Sequence, residues 1–196
     1  MSDAGGHDLV AIGTSWGGLD ALRTLLSGLP ASLDAAVVVA QHRAPGSHPT
    51  ALRDLLGAVT AMTVCEAGDK DELRRGIVYL AAPDYHVLIE DGSIALTVDA
   101  PVLYARPSVD VLLESAAEAY LDRCVGVVLT GANDDGARGL RRVADHGGVT
   151  IVQDPASAVR PEMPRAALAA VPDARVAPVD EIAALVVELC GERVAA

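Results

Sequence analysis

Leu9-Val10-Ala11-Ile12-Gly13-Thr14-Ser15-Trp16-Gly17-Gly18 is the stretch that decides the fold. Its apolar opening, Leu9–Ile12, predicts a strand. Gly13-Thr14-Ser15-Trp16-Gly17 then fits G-x-S-x-G, a sharp strand-to-helix elbow that lifts its serine out of the backbone. The flanking glycines leave room for the bend. Backbone N–H groups at the start of the next helix face any negative charge that develops there. Ser15 is therefore a candidate nucleophile, provided the chain supplies a base and an acid to orient it.

Outward from this elbow the pattern alternates. Residues 17–27 predict a helix with Leu19, Leu22, Leu25 and Leu26 on one face. Val37–Ala40 reads as a second buried strand. Residues 48–57 predict a helix, starting near His48, with Ala51, Leu52, Leu55 and Leu56 inward, and residues 62–64 a short strand. The middle changes character. Residues 76–81, 86–89 and 94–98 read as short strands, and Asp91-Gly92 is a strong hairpin signal. An antiparallel hairpin excursion is expected near residues 76–98. Alternation then resumes, with helices over 108–120 (Ser108 as N-cap), 136–146, 163–170 and 180–189, and strands over 126–130 and 149–153. The sum is α/β: a doubly wound, mostly parallel sheet with helices on both faces. The expected layout is a flexible N-terminus over 1–7, a single domain over 8–190 and a C-terminal tail over 191–196.

The chain has 196 residues, 51% of them hydrophobic, which suits one domain with a sizeable core. Phe is absent and aromatics are 3%, so aliphatic residues must fill that core. The net charge of −12 offers no basic face for nucleic acid. Cys65, Cys124 and Cys190 have no metal-ligand spacing and read as free thiols in a reducing compartment. No signal peptide and no apolar run of spanning length is visible, so a cytoplasmic protein without membrane insertion is expected. No cofactor motif appears.

In doubly wound sheets, sites form outside the carboxyl ends of the strands. Ser15 follows the first strand, His42 the second, and Asn133-Asp134-Asp135-Gly136 a later one. Serine, histidine and aspartate at one sheet edge are the parts of a hydrolytic relay. From the residues alone, either Asp134 or Asp135 could orient His42 while the other caps the following helix. Trp16, Asp134 and His86 are the candidate pocket residues. His7 falls in the expected flexible end and His146 near a helix C-terminus.

At these residues the chain resembles the catalytic domain of the chemotaxis receptor methylesterases, the CheB family. The resemblance is carried by Ile12–Gly18, Gln41-His42 with Pro45-Gly46, Ala82-Pro83-Asp84-Tyr85-His86, Arg106-Pro107-Ser108-Val109-Asp110, Leu129-Thr130-Gly131 with Asp135-Gly136-Ala137, and Met163–Ala167. It implies hydrolysis of γ-glutamyl methyl esters on methylated chemoreceptor cytoplasmic helices, with glutamine deamidation in some members. It further implies Ser15 as nucleophile, His42 as base and acid, and Asp135 as the orienting carboxylate. Oxyanion donors are implied near His42 and in the Ala132-Asn133 loop. Trp16 stands where the family usually has Thr, and Ala132-Asn133 where it usually has Met and Gly. The family's usual receiver domain is expected to be missing, which leaves room for a separate regulatory protein.

The alternative is a catalytically weakened receptor-docking or regulatory module of the same fold. A nucleotide-binding domain would want an acid at the end of the second strand, where Gln41-His42 stands. An α/β-hydrolase would order its residues serine, acid, histidine, unlike Ser15, His42, Asp135.

Overall fold

The computed structural model describes residues 6–43, 46 and 49–192. Its centre is a seven-stranded sheet in the order β3-β4-β2-β1-β7-β8-β9. These strands are β1 (Leu9–Thr14), β2 (Ala36–Gln41), β3 (Thr63–Glu66), β4 (Ile77–Leu80), β7 (Cys124–Val128), β8 (Val149–Gln153) and β9 (Arg175–Ala177). Every pairing in this sheet is parallel. The helices are α1 (Gly18–Ser27), α2 (Pro49–Gly57), α3 (Val109–Tyr120), α4 (Ala137–Asp145), α5 (Glu162–Ala170) and α6 (Val179–Cys190).

Strand alternation divides the core in two. Leu9 and Ala11 of β1 and Val38 and Ala40 of β2 join Leu112 and Leu113 of α3, Leu140 of α4 and Ala167 of α5 on one face. Val10, Ile12, Val37 and Val39 point the other way, onto Leu22 and Leu26 of α1, Leu52 and Leu56 of α2 and Ile182 of α6. Central strands buried on both sides must be apolar at every position, which is why β1 and β2 read as unbroken runs. The sheet grows from β1 in both directions, so the crevice between β1 and β7 is the topological switch point.

The antiparallel excursion is narrower than residues 76–98. Only β5 (His86–Glu90) and β6 (Ser93–Thr97) pair antiparallel, as a separate two-stranded sheet turned by Asp91-Gly92. Ile77–Leu80 belongs to the main sheet, between β2 and β3. The hairpin lays Val87, Ile89 and Ile94 against the α3 face of the core, and Ser115 of α3 accepts a hydrogen bond from the Ile89 N–H at 3.0 Å.

In α2 the inward stripe is Leu52 and Leu56 alone; Ala51 and Leu55 are exposed. Strand β9, Arg175-Val176-Ala177, has no apolar run and so no strand signal in the sequence. His7, expected in the flexible end, bonds through Nδ1 to the Leu189 carbonyl at 3.1 Å. His48 and Pro45 lie outside the described residues. Of the thiols, Cys124 and Cys190 are buried and Cys65 half-buried. Burial pushes the Cys124 and Cys190 thiols up to about 12, so both stay protonated and inert at neutral pH. Among the described residues no helix is long and apolar enough to cross a membrane.

Candidate active site

The carboxyl ends of β1, β2 and β7 bring Ser15, His42 and Asp135 together. His42 Nδ1 lies 3.1 Å from Ser15 Oγ, and His42 Nε2 lies 2.6 Å from Asp135 Oδ2. An ionised carboxylate can only accept, so Nε2 carries the ring proton and Nδ1 keeps its lone pair for the serine hydroxyl. The ring is used in the reverse sense to the serine-protease arrangement, where Nε2 faces the serine. The His42 side chain is 13% exposed and that of Asp135 fully buried, so the relay opens to solvent only at its serine end.

The elbow is built as the motif requires. Gly17 has φ 79°, in the left-handed region that glycine tolerates, and forms the N-cap of α1. The Ser15 N–H donates to the Thr130 carbonyl at 2.9 Å, and Thr14 Oγ1 donates to the same oxygen at 2.9 Å. Thr130 Oγ1 in turn donates to the Trp16 carbonyl. These bonds tie the loop after β1 to the loop after β7. Gly131 completes the tie: a Cβ there would meet Met163 Sδ at 1.8 Å and Ser15 Cβ at 3.0 Å. Only glycine lets this backbone pass so close to the serine.

Asp135 has no free acceptor capacity. Besides His42, it receives the Ser108 hydroxyl at 2.9 Å, the Val109 N–H at 2.7 Å and the Asp110 N–H at 2.9 Å. Its carboxylate thus sits on the N-terminus of α3, where N–H groups without an intrahelical partner and the helix dipole favour negative charge. Burial opposes ionisation, but the His42 bond and the Asp110 and Val109 N–H groups outweigh it and hold the carboxyl below the usual carboxylate range. Asp134 is exposed and does not reach His42; its carbonyl accepts the Ala137 N–H in the turn into α4.

The remaining candidates fall into place around this relay. His86 is buried and structural: its Nε2 donates to the Ala100 carbonyl at 3.2 Å, and its Nδ1 accepts the Ser108 N–H at 3.1 Å. It supports Ser108 rather than lining a pocket. Trp16 is 68% exposed beside Ser15, so its indole forms the rim of the site. The loop residues Ala132 and Asn133 are exposed and half-buried respectively. Near His42, where an oxyanion donor is expected, the His42 N–H itself is engaged, donating to the Thr14 carbonyl at 3.0 Å. Among the described residues the backbone N–H groups of Trp16 and Ala132 have no hydrogen-bond partner. The Trp16 N–H was missed in the sequence, although it follows the candidate nucleophile directly. Among the described residues no group of His, Cys, Asp and Glu could hold a metal ion.

Comparison with known proteins places this geometry in context. A family model described as CheB methylesterase matches residues 10–186. A Leptospira interrogans relative is 39% identical over 184 residues, covering 93% of this chain and 95% of its own length. A Symbiobacterium thermophilum protein named protein-glutamate methylesterase/protein-glutamine glutaminase is 40% identical, covering 94% of this chain but 51% of its own length. The crystal structure of the Thermotoga maritima CheB methylesterase catalytic domain superposes with a TM-score of 0.88 at 32% identity, over 95% of this chain and 100% of that one. On the matched span, the shared sheet and the level of identity, the chain belongs to the CheB methylesterase family.

Proposed function

We propose that this chain hydrolyses γ-glutamyl methyl esters on the cytoplasmic helices of chemoreceptors, releasing glutamate and methanol, and that it does so as a serine hydrolase. The continuous relay from Asp135 through His42 to Ser15, with links of 2.6 and 3.1 Å, carries the reading. Membership of the methylesterase family supports the substrate class. In this reading the Ser15 oxygen attacks the ester carbonyl while His42 Nδ1 takes the hydroxyl proton. Asp135, ionised and bonded to Nε2–H, stabilises the resulting imidazolium. His42 returns the proton to the methoxide oxygen as the C–O bond breaks, and methanol leaves. Water, deprotonated by His42, then cleaves the acyl-serine ester and restores Ser15. In this reading the N–H groups of Trp16, directly after the nucleophile, and Ala132, in the loop after β7, both unpartnered among the described residues, face the oxyanion.

The same steps with ammonia as leaving group would deamidate glutamine, an activity carried in the names of several relatives. The relay needs no metal or organic cofactor. A cytoplasmic setting follows from the receptor face on which such esters lie, and a separate regulatory protein remains part of the reading.

The test is methanol release from a methylated receptor cytoplasmic fragment by the wild type and by Ser15→Ala. Release that falls by about 10⁴-fold or more in the variant supports the reading. Binding of the fragment without release would replace it with the docking module. Release that survives Ser15→Ala would remove the serine from the chemistry.

A further inference from the structure

A second buried carboxylate lies beside Asp135 and takes no part in the steps above. Asp110, in the first turn of α3, is 3% exposed. Its Oδ1 accepts the Gly136 N–H at 2.9 Å and the Gly139 N–H at 2.8 Å. It therefore caps α4, the helix that Asp135 precedes, while Asp135 caps α3, the helix whose first turn holds Asp110. Each helix is closed by a carboxylate from the other.

This exchange bears on His42. The side chain of Asp135 is fixed by Ser108, Val109 and Asp110 N–H groups or hydroxyls of α3. The backbone that follows it is fixed by the Asp110 carboxylate through Gly136, whose φ of 100° only glycine holds without strain. The Asp110 carboxylate thus holds the backbone immediately after Asp135. Burial and the neighbouring Asp135 charge push the Asp110 carboxyl up, against the Gly139 and Gly136 N–H groups and Arg138. Arg138 lies 3.6 Å away and is shared with Glu114. A charge kept in such a place needs a geometric return.

We infer that Asp110 is a positioning residue for ester hydrolysis: by holding the Gly136 and Gly139 N–H groups it keeps Asp135 in register with His42. The inference rests on the proposed role of Asp135. A cap that served the fold alone would change stability and leave both turnover per folded molecule and the His42–Asp135 bond untouched.

The test compares Asp110→Ala with Asp110→Asn in the full chain; asparagine keeps an Oδ1 acceptor for both N–H groups. Two quantities are read on folded protein. One is kcat and KM for methanol release from the methylated receptor fragment. The other, without substrate, is the downfield proton resonance of the His42 imidazole N–H bonded to Asp135. Asp110→Ala is expected to lower kcat by about 10- to 100-fold with KM nearly unchanged, and to move the resonance upfield or lose it to exchange. Asp110→Asn is expected to restore kcat to within about threefold and to restore the resonance. If the alanine variant does not fold, Asp110→Ser takes its place, its shorter side chain being unable to span both N–H groups. Wild-type kcat and resonance in the folded alanine or serine variant would overturn the inference. So would an asparagine variant as impaired as the alanine one. If the wild type releases no methanol, the ester reading fails, and the resonance alone still decides the role of Asp110.

Discussion

At the scale of the residue, the site turns on a carboxylate with only donors around it. Every group that meets the Asp135 carboxylate (the His42 Nε2–H, the Ser108 hydroxyl, and the Val109 and Asp110 N–H groups) donates a hydrogen bond to it. Asp135→Asn must place its amide NH₂ against one of them. The variant is expected to lose about 10³–10⁴ in kcat and about 1–3 kcal/mol of stability, read by methanol release and denaturant unfolding. Asp134→Asn, on the exposed neighbour, is expected to change neither. Trp16→Thr removes an exposed side chain at the rim, so KM for the receptor fragment should change while the melting temperature does not. The sequence placed Ser15, His42 and the aspartate pair at strand ends through motif and alternation. Residue type and spacing alone leave Asp134 and Asp135 open, because adjacent residues in a turn differ only in where the backbone aims them; the family resemblance is what singles out Asp135.

The crossed caps of α3 and α4 set the behaviour of these elements with pH. Asp110 ionises at higher pH in the folded chain than in the unfolded one, since burial disfavours its charge. Its ionisation therefore costs stability as pH rises from about 3.9 through the raised value. Asp110→Asn removes that cost and keeps the acceptor. The melting-temperature difference between the variant and the wild type is expected to move in the variant's favour from pH 3 to pH 7. A second element-level prediction concerns the loop after β7: Gly131→Ala, which drives a Cβ into Met163, should lower both stability and kcat, measured by thermal melting and methanol release. Most elements were legible because strand and helix periods differ. Strand β4 was legible as a strand but not as a member of the main sheet, since four apolar residues look alike in a hairpin and in a parallel sheet. The α2 stripe was drawn too wide because the pattern shows which residues are apolar, not how much of the sheet the helix covers.

For the whole molecule, acid is the expected route to unfolding. Asp135 holds its charge below the usual carboxylate range, so its contribution is complete above about pH 3.9 and is lost as pH falls through its own lower value. Urea midpoints measured between pH 5 and pH 2 should fall more steeply for the wild type than for Asp135→Asn, which has no such charge to lose. The sheet order has a different consequence. Ser15 and His42 come from the strands on one side of the switch point, and Ser108 and Asp135 from the chain beyond residue 105. The β1–β7 pairing joins them within the main sheet, and the bonds of Ser15 to Thr130 and of Ser108 to His86 join them at the site. The exposed turn at Leu103-Tyr104 lies between the two sets. A chain severed there would yield two halves, each catalytically silent, and hydrolysis would return only on their reunion, making turnover a reporter of one half finding the other.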